Sequence, residues 1–485
     1  MAGQPVNSAQ PWQLILAPEM ASQLRVHLFA GDGDEHGAVI AASMVRTPRG
    51  VRLLGRRLHL ARDGVDYVPG QRGYRMLTPQ FVQEQILACA DSGLVYLAVH
   101  CHSGSGAVAF SDTDLASHER GYPALLDIAA GPPVGALVFA RNAVAGDIWC
   151  PDGTRIALQS AVVAGLPRTT LRSRPVKAPG SDPTYDRQSR LFGDRGQAML
   201  AAQKVGVIGV GGAGSLLVEY LARLGVGHIV VVDDDRIEGS NHPRVVGSRR
   251  RDALPFLTSP DRPGVLRALG RRLATRKVAV ARRVAAAANP GIVFDAVAAD
   301  IADPASARAL IDCDYVFLAA DSMRARLVFN ALVQQYLIPG VEVGAKVQLD
   351  KHGRVTDVFS AVRPVLPGFG CLWCNGLIDP VRLTEEATDP IQLARQRYID
   401  DPAITAPSVI TLNAVAAAHA ANEYMMAVTE LLPEDYEPCW QRFHPAAEGG
   451  VDRTIAEIPR RDPACTECSP AGRLGAGDAR RLPTR

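Results

Sequence analysis

With 485 residues, the chain is long enough for two to four domains, each with an ample core. Its 47% hydrophobic and 21% charged residues are the balance of a globular protein and exclude a disordered or fibrous one. A net charge of +2 makes no case for nucleic acid or a membrane as a bulk partner, and neither is expected. The arginine runs Arg249–Arg251 and Arg271–Arg272 read as solvated faces. The opening MAGQPVNSAQPWQLIL has no basic region followed by an apolar core, so no signal peptide is expected. The weakly polar run Val409 to Val428 contains Asn413, His419, Asn422 and Glu423, which suits a buried helix and not a membrane span. Four of the nine cysteines form two CxxC pairs. Without an export signal, that points to reduced thiols, metal binding and a cytoplasmic location.

Residues 1–165 form a first domain of α+β pattern. Strand-like runs are Arg25–Leu28, Ala38–Val45, Val51–Leu60, Val95–His100, Gly135–Ala140 and Asp147–Trp149. A helix fits Thr78–Ser92, apolar at Phe81, Val82, Ile86 and Leu87. His100 and His102 end an apolar strand, and i, i+2 residues on an extended segment point to one side, so both imidazoles can face one metal. Asp114, in the Ser111-Asp112-Thr113-Asp114 run, could complete a three-ligand zinc site with one position open for water. Glu35 could then move the water's proton, and Ser111 could donate to a developing oxyanion. The plainer alternative is two surface histidines at a strand end and an N-capping Ser111.

This set resembles the JAB/JAMM (MPN) metallopeptidase family over roughly residues 25 to 160. The resemblance implies an isopeptidase or peptidase acting after ubiquitin-like proteins. His100, His102 and Asp114 would be its zinc ligands, Glu35 its acid/base and Ser111 its support for the tetrahedral intermediate. The chain departs from the motif at one point: eight residues separate His102 from Ser111, where the motif has seven.

Residues 166–184 are rich in proline, arginine and serine without an apolar period, and read as a linker. The second domain, 185–470, is built on KVGVIGVGGAGSLLVEYLARLGVGHIVVVDDD, from Lys204 on. Strand Val205–Ile208, glycines 209, 211 and 214, a helix from about Ala213 to Leu224 and strand Ile229–Val232 make a βαβ unit with a phosphate-approaching first turn. Asp233 at the end of the second strand can accept from ribose hydroxyls. A nicotinamide or flavin dehydrogenase satisfies this stretch as readily as an ATP user does.

The residues beyond the loop separate these readings. Arg187 precedes the first strand, Asn241 and Arg244 follow the acidic strand end, Lys277 opens a helix, and Asp321 ends strand Tyr315–Ala320, ahead of Arg326 and Asn330. Adenylation needs such cations for pyrophosphate charge and a carboxylate for Mg2+; hydride transfer does not. The RQ element, GxGGxG, D-x-D, S-N-x-x-R, the later lysine and D-x4-R-x3-N are similar to the ThiF/MoeB/ubiquitin-activating-enzyme superfamily. That resemblance implies that Gly209, Gly211 and Gly214 cradle the nucleotide and Asp233 binds the ribose. Asn241, Arg244 and Lys277 would hold phosphates, Asp321 would hold Mg2+, and Arg187 would reach the partner protomer's triphosphate in a homodimer.

Cys371/Cys374 and Cys465/Cys468 can supply four thiolates to a closed tetrahedral site. Two unrelated pairs or a redox CxxC are the alternatives. The superfamily resemblance favours a structural zinc clipping the C-terminal segment onto the domain. Members that form a thioester carry a cysteine in the crossover region, where this chain reads RQRYIDDPAIT without one. Cys439 lies later and is a weak candidate. The tail 471–485 is expected to be disordered.

The expected architecture is therefore α/β: an N-terminal α+β JAB/MPN-like domain, then a Rossmann-like ThiF/MoeB-type adenylation domain with a parallel-rich sheet. The expected cofactors are ATP, Mg2+ and two zinc ions, one catalytic and one structural. The expected partner is a ubiquitin-like or sulfur-carrier protein with a C-terminal glycine. The leading reading joins adenylation of that protein's carboxylate to zinc-dependent processing of it or its conjugates. The alternatives are sulfur-carrier activation in cofactor biosynthesis and a non-catalytic scaffold.

Overall fold

The computed structural model describes residues 10–70, 73, 75–350, 352, 354–388, 407–433, 435–445 and 453–485. Two compact units emerge: Met1–Lys177 with Gln334–Leu337 and Cys468–Arg481, and Ala178–Val333 with Ile338–Glu467 and Leu482–Arg485.

The first unit contains β1 (Trp12–Leu16), α1 (Pro18–Leu28), β2 (Gly37–Thr47), β3 (Gly50–Leu60), α2 (Pro79–Ser92), β4 (Val95–Cys101) and α3 (Asp112–Ala129). It continues through β5 (Val134–Ala140), β6 (Ala143–Trp149), β7 (Arg155–Ala157), β8 (Ser160–Val163) and β9 (Thr169–Leu171). The strands form one mixed sheet in the order β7-β6-β5-β4-β2-β3-β1-β8-β9. Both faces of its centre are buried, which is why β2 reads as a near-continuous apolar run. Ala38, Ile40 and Ala42 enter one core with Leu24 and Leu28 of α1. Val39 and Ala41 point the other way, into a core with Phe81, Ile86 and Cys89 of α2 and Tyr122 of α3.

Three expectations need correction here. Arg25–Leu28 is the last turn of a helix and not a strand: Pro18 starts it, and Leu24 and Leu28, one turn apart, face the core. Thr169–Leu171, inside the expected linker, pairs antiparallel with Ala161–Val163, so the sheet extends past residue 165. The tail is ordered: residues 468–481 belong to the first unit, with Leu474 and Ala476 buried. Arg56 donates to the carbonyls of Leu474 and, at 3.0 Å, Gly472. Gln335 donates to Gly477 O at 2.7 Å and Arg480 O at 2.6 Å, and Tyr336 to Asp478 at 2.8 Å. Gly475 has φ +66°, and a Cβ there would meet Gly55 O at 2.7 Å, so a glycine permits this close approach. Glycine- and arginine-rich composition suggested disorder because these partners lie more than a hundred residues away in sequence.

The second unit comprises α4 (Asp186–Ala201), β10 (Lys204–Ile208), α5 (Gly212–Arg223), β11 (His228–Val232), α6 (Pro255–Thr258), α7 (Gly264–Leu273), α8 (Lys277–Ala288) and β12 (Val293–Val297). Then come α9 (Pro304–Arg308), β13 (Tyr315–Leu318), α10 (Met323–Tyr336), β14 (Gly340–Leu349), β15 (Val355–Val365), α11 (Pro380–Ala387), α12 (Ile410–Val428), β16 (Trp440–His444) and β17 (Arg453–Glu457). Its sheet runs β12-β11-β10-β13-β14-β15-β16-β17, parallel through the first five strands and antiparallel beyond. The chain winds outward from β10 to β12 and then returns to β13 on the other side. That reversal opens a crevice at the carboxyl ends of β10 and β13, where open α/β sheets take ligands. The run 409–428 is the helix expected of it, with Ala416, Ala420 and Tyr424 buried and the Tyr424 ring 5.0 Å from that of Tyr315 on β13. No helix among the described residues is long and apolar enough to cross a membrane.

Deleting residues 471–485 removes Leu474 burial, about 2 kcal/mol, and several hydrogen bonds at about 1 kcal/mol each. The thermal midpoint of the first unit should fall by roughly 5 °C or more. An unchanged midpoint by differential scanning calorimetry would contradict the tail's docking.

Candidate functional site

The crevice of the second unit is built on close backbone approach. Gly209 follows β10 with φ +84°, and a Cβ on it would lie 3.0 Å from the Ala319 carbonyl carbon, beyond β13. A Cβ on Gly214 would lie 1.9 Å from Gly209 O, so α5 can start against the loop only with glycine there. Gly211 is the N-cap of α5, and the space at its missing Cβ is open. The helix therefore presents its free N–H end across an unobstructed loop, an arrangement suited to phosphate.

Asp233 follows β11. Its carboxylate accepts from Val210 N at 2.8 Å and from Asp235 N at 2.9 Å, one bond to each oxygen. A lone pair remains on each oxygen for further donors such as ribose hydroxyls. Burial raises its pKa above the usual carboxylate range, against the Lys277 charge and those N–H groups. Lys277, the first residue of α8, is nearly buried, and its Nζ meets Asp235 at 2.6 Å. Asn241 is buried, with its Oδ1 accepting from Glu238 N at 3.0 Å. Arg244 is half-buried and donates to Ser240 O at 3.1 Å. Arg187 stands exposed in the first turn of α4.

Asp321 is exposed at the carboxyl end of β13, two residues before α10. The other two residues of its motif serve the scaffold. Arg326 donates to Glu342 at 3.2 Å, and Arg363 completes that buried pair on the other carboxylate oxygen. Asn330 is fully buried and accepts from Leu372 N at 3.0 Å, holding the first CxxC turn.

The four thiols of Cys371, Cys374, Cys465 and Cys468 lie within 4.8 Å of one another. Cys371 Sγ is 3.6 Å from Cys374 Sγ and 3.9 Å from Cys465 Sγ. A disulfide needs about 2 Å. Tetrahedral ligation with zinc–sulfur bonds of about 2.3 Å puts sulfurs about 3.8 Å apart, so the donor set fits such an ion. Asn375 braces the cluster: it donates to Cys371 O at 2.9 Å and Arg460 O at 3.0 Å and accepts from Arg460 N at 2.8 Å. Cys439 is half-buried, and Gln441 Nε2 lies 3.6 Å from its sulfur.

In the first unit, β4 delivers His100 and, one residue past its end, His102, and the first turn of α3 delivers Asp114. The two Nε2 atoms are 3.3 Å apart, His100 Nε2 is 3.5 Å from Asp114 Oδ1, and His102 Nε2 is 3.3 Å from Asp114 Oδ2. Ligands about 2.05 Å from a tetrahedral zinc are about 3.3 Å apart, so this set also fits. Burial acts to raise the Asp114 pKa, but hydrogen bonding to His100 and Ser111 outweighs it and holds the carboxyl well below its usual range. Ser111 caps α3: its hydroxyl donates to Asp114 Oδ2 at 2.8 Å and accepts from Asp114 N at 3.2 Å. Burial raises the pKa of half-buried Glu35, opposed by the His102 and His100 charges and supported by that of Asp114. The eight-residue spacer is pinned by Arg141 N to Gly104 O at 3.3 Å, Asn142 N to Ser105 O at 2.9 Å and Val108 N to Ser173 O at 2.9 Å. The ligand set comes together across the longer loop.

The sequence model of a protein family described as the ThiF family matches residues 185–467, more than half of the chain. The chain belongs to the ThiF family. The "Adenylyltransferase and sulfurtransferase UBA4" of Yarrowia lipolytica is 46% identical over 59 residues, 12% of this chain and 15% of that one. The "SAMP-activating enzyme E1" of Haloferax volcanii is 47% identical over 66 residues, 13% of this chain and 24% of that one. The "Adenylyltransferase and sulfurtransferase MOCS3" of Mus musculus is 50% identical over 64 residues, 13% of this chain and 14% of that one. These matches span at most about a quarter of each relative's length. A crystal structure of E. coli MccB is similar over 60% of this chain and 77% of its own, at 19% identity and a TM-score of 0.43. The ThiF match covers the second unit's glycine loop and leaves residues 1–184 outside it.

Two features of the ThiF unit lie outside the sequence reading. Asn413 of α12 packs on the glycine loop, its Nδ2 2.3 Å from where a Gly212 Cβ would be. Glu386 of α11 accepts from Met323 N at 2.8 Å and Arg324 N at 2.9 Å. No local pattern announces either contact. Gly214→Ala, whose Cβ would collide with the Gly209 carbonyl, should destabilise the unit by about 2 kcal/mol or more. A wild-type midpoint of chemical denaturation in that variant would contradict the loop geometry.

Proposed function

We propose that the second unit adenylates the C-terminal carboxylate of a sulfur-carrier or ubiquitin-like protein. The observation that carries this is the crevice itself: a glycine-bounded helix N-terminus, Asp233 and the cations Arg244 and Lys277 at the switch point of a ThiF-family sheet. The names of the relatives support the reaction, since two are called adenylyltransferase and sulfurtransferase and a third an activating enzyme E1. A carboxylate oxygen of the carrier attacks the α-phosphorus of ATP, forming the acyl-adenylate as the bond to pyrophosphate breaks. Gly209, Gly211 and Gly214 cradle the nucleotide, and Asp233 accepts from the ribose. Asn241, Arg244 and Lys277 hold the phosphates, the two cations offsetting the charge of the departing pyrophosphate. Lys277 starts paired with Asp235, so binding exchanges one anion for another. Mg2+, held by Asp321, would screen charge between the phosphates. Arg187 would reach the triphosphate of a second copy, so the proposed active form is a homodimer. A structural zinc would hold the four thiolates.

A second activity, zinc-dependent cleavage of peptide or isopeptide bonds, is favoured by the fit of His100, His102 and Asp114 to a three-ligand site. An ion there would acidify a water. Glu35 would carry the proton to the leaving amine, its raised pKa suiting that role, and Ser111 would donate to the oxyanion.

ATP–pyrophosphate exchange tests the first activity. Exchange should depend on an added carrier protein and fall about 100-fold or more in Asp321→Ala. A purified protein showing neither exchange nor ATP binding would remove the reading. Metal analysis tests the second: the wild type should hold about two zinc ions per chain and His100→Ala about one. An unchanged count in His100→Ala would remove the peptidase assignment.

A further inference from the structure

Asp321 lies on a four-residue connection, 319–322, between β13 and α10. On one side the connection is pinned to the glycine loop: Ala319 N donates to Ile208 O at 2.8 Å, and the Ala319 carbonyl fills the space where Gly209 would carry a Cβ. On the other side it runs into the first turn of α10, whose N–H groups have no partners within the helix. Glu386 takes two of them at once, Met323 N on Oε1 at 2.8 Å and Arg324 N on Oε2 at 2.9 Å. The Arg324 guanidinium in turn donates to the Glu386 backbone carbonyl. A carboxylate from α11, more than sixty residues away, thus clasps the helix end two residues beyond Asp321.

We propose that Glu386 is a positioning residue for the nucleotide's metal: by gripping the first turn of α10 it fixes the connection that aims the Asp321 carboxylate. This rests on the adenylation reading above. A connection held at both ends has few conformers to lose when Asp321 takes a hard cation with strict geometry, so the ordering cost is met before the ion binds. Both acceptor oxygens are needed. An alanine offers none, and a glutamine offers one acceptor and turns an N–H donor toward the second backbone N–H. A cap that served only the helix would affect folding alone, whereas a positioning clasp changes the Mg2+-dependent part of ATP binding.

The test is calorimetric titration of ATP into the full-length protein, with excess Mg2+ and with EDTA. In the wild type Mg2+ should tighten ATP binding, and Asp321→Ala should erase that gain. Glu386→Ala should weaken MgATP binding about tenfold, the equivalent of one charge-assisted hydrogen bond, and leave metal-free ATP binding within about twofold. Glu386→Gln should fall between. The clasp is refuted if Glu386→Ala binds MgATP like the wild type, or loses affinity equally with and without Mg2+. Should Glu386→Ala have a lowered melting midpoint without nucleotide, Glu386→Gln decides by the same two titrations. A wild type that binds no ATP, or an Asp321→Ala variant that keeps the full Mg2+ gain, fails at the adenylation site itself, and the positioning role falls with it.

Discussion

The contact between Gly214 and the Gly209 carbonyl, 1.9 Å from a would-be Cβ, is the constraint on which the second unit's crevice depends. It lets α5 begin directly against the end of β10. The same loop lies against the Ala319 carbonyl, so the ends of β10 and β13 close on one point. Val210 N, exposed by that turn, is what Asp233 accepts from. One steric fact thereby places the start of α5, the Asp233 carboxylate and the Asp321 connection around the glycine loop. The cations come from farther off, from the segment after β11 and the start of α8, and are brought in by the parallel pairing of β10, β11 and β12.

The two donor clusters obey the same geometry with different chemistry. Four soft thiols within 4.8 Å of one another leave no vacancy in a tetrahedron, which suits a structural role. Two imidazoles and a carboxylate about 3.3 Å apart leave one vertex open, which suits catalysis. The ThiF match supports the unit holding the first CxxC pair, and the reading of the first unit stands on its ligand distances and on Glu35 beside them.

Much of the second unit was legible because its signals are local. β10, α5 and β11 sit within a residue or so of the expected stretches, since buried parallel strands read as apolar runs and glycine turns announce themselves. In the first unit β2, β3, β4 and α2 were legible for the same reason. Only the start of α3 was legible, as an N-capping Ser111; its length was not, and Pro123 lies inside it. Ser111 and Asp114 do both things at once, forming the capping box that opens α3 and presenting a carboxylate to the histidines. The tail misled because its order comes from Arg56, Gln335 and Tyr336 and not from its own composition.

By itself the sequence determined the glycine turn, the i, i+2 histidines and the two CxxC pairs, because each is a short-range pattern whose geometry follows from backbone period and side-chain type. Only the tertiary structure decided which distant residues share a site. It drew the Cys465 pair to the Cys371 pair, pressed Asn413 onto the glycine loop and set Glu386 of α11 on the first turn of α10, just beyond Asp321. Such contacts satisfy buried polar groups and fill space left by missing side chains, and those demands arise only once the chain has folded.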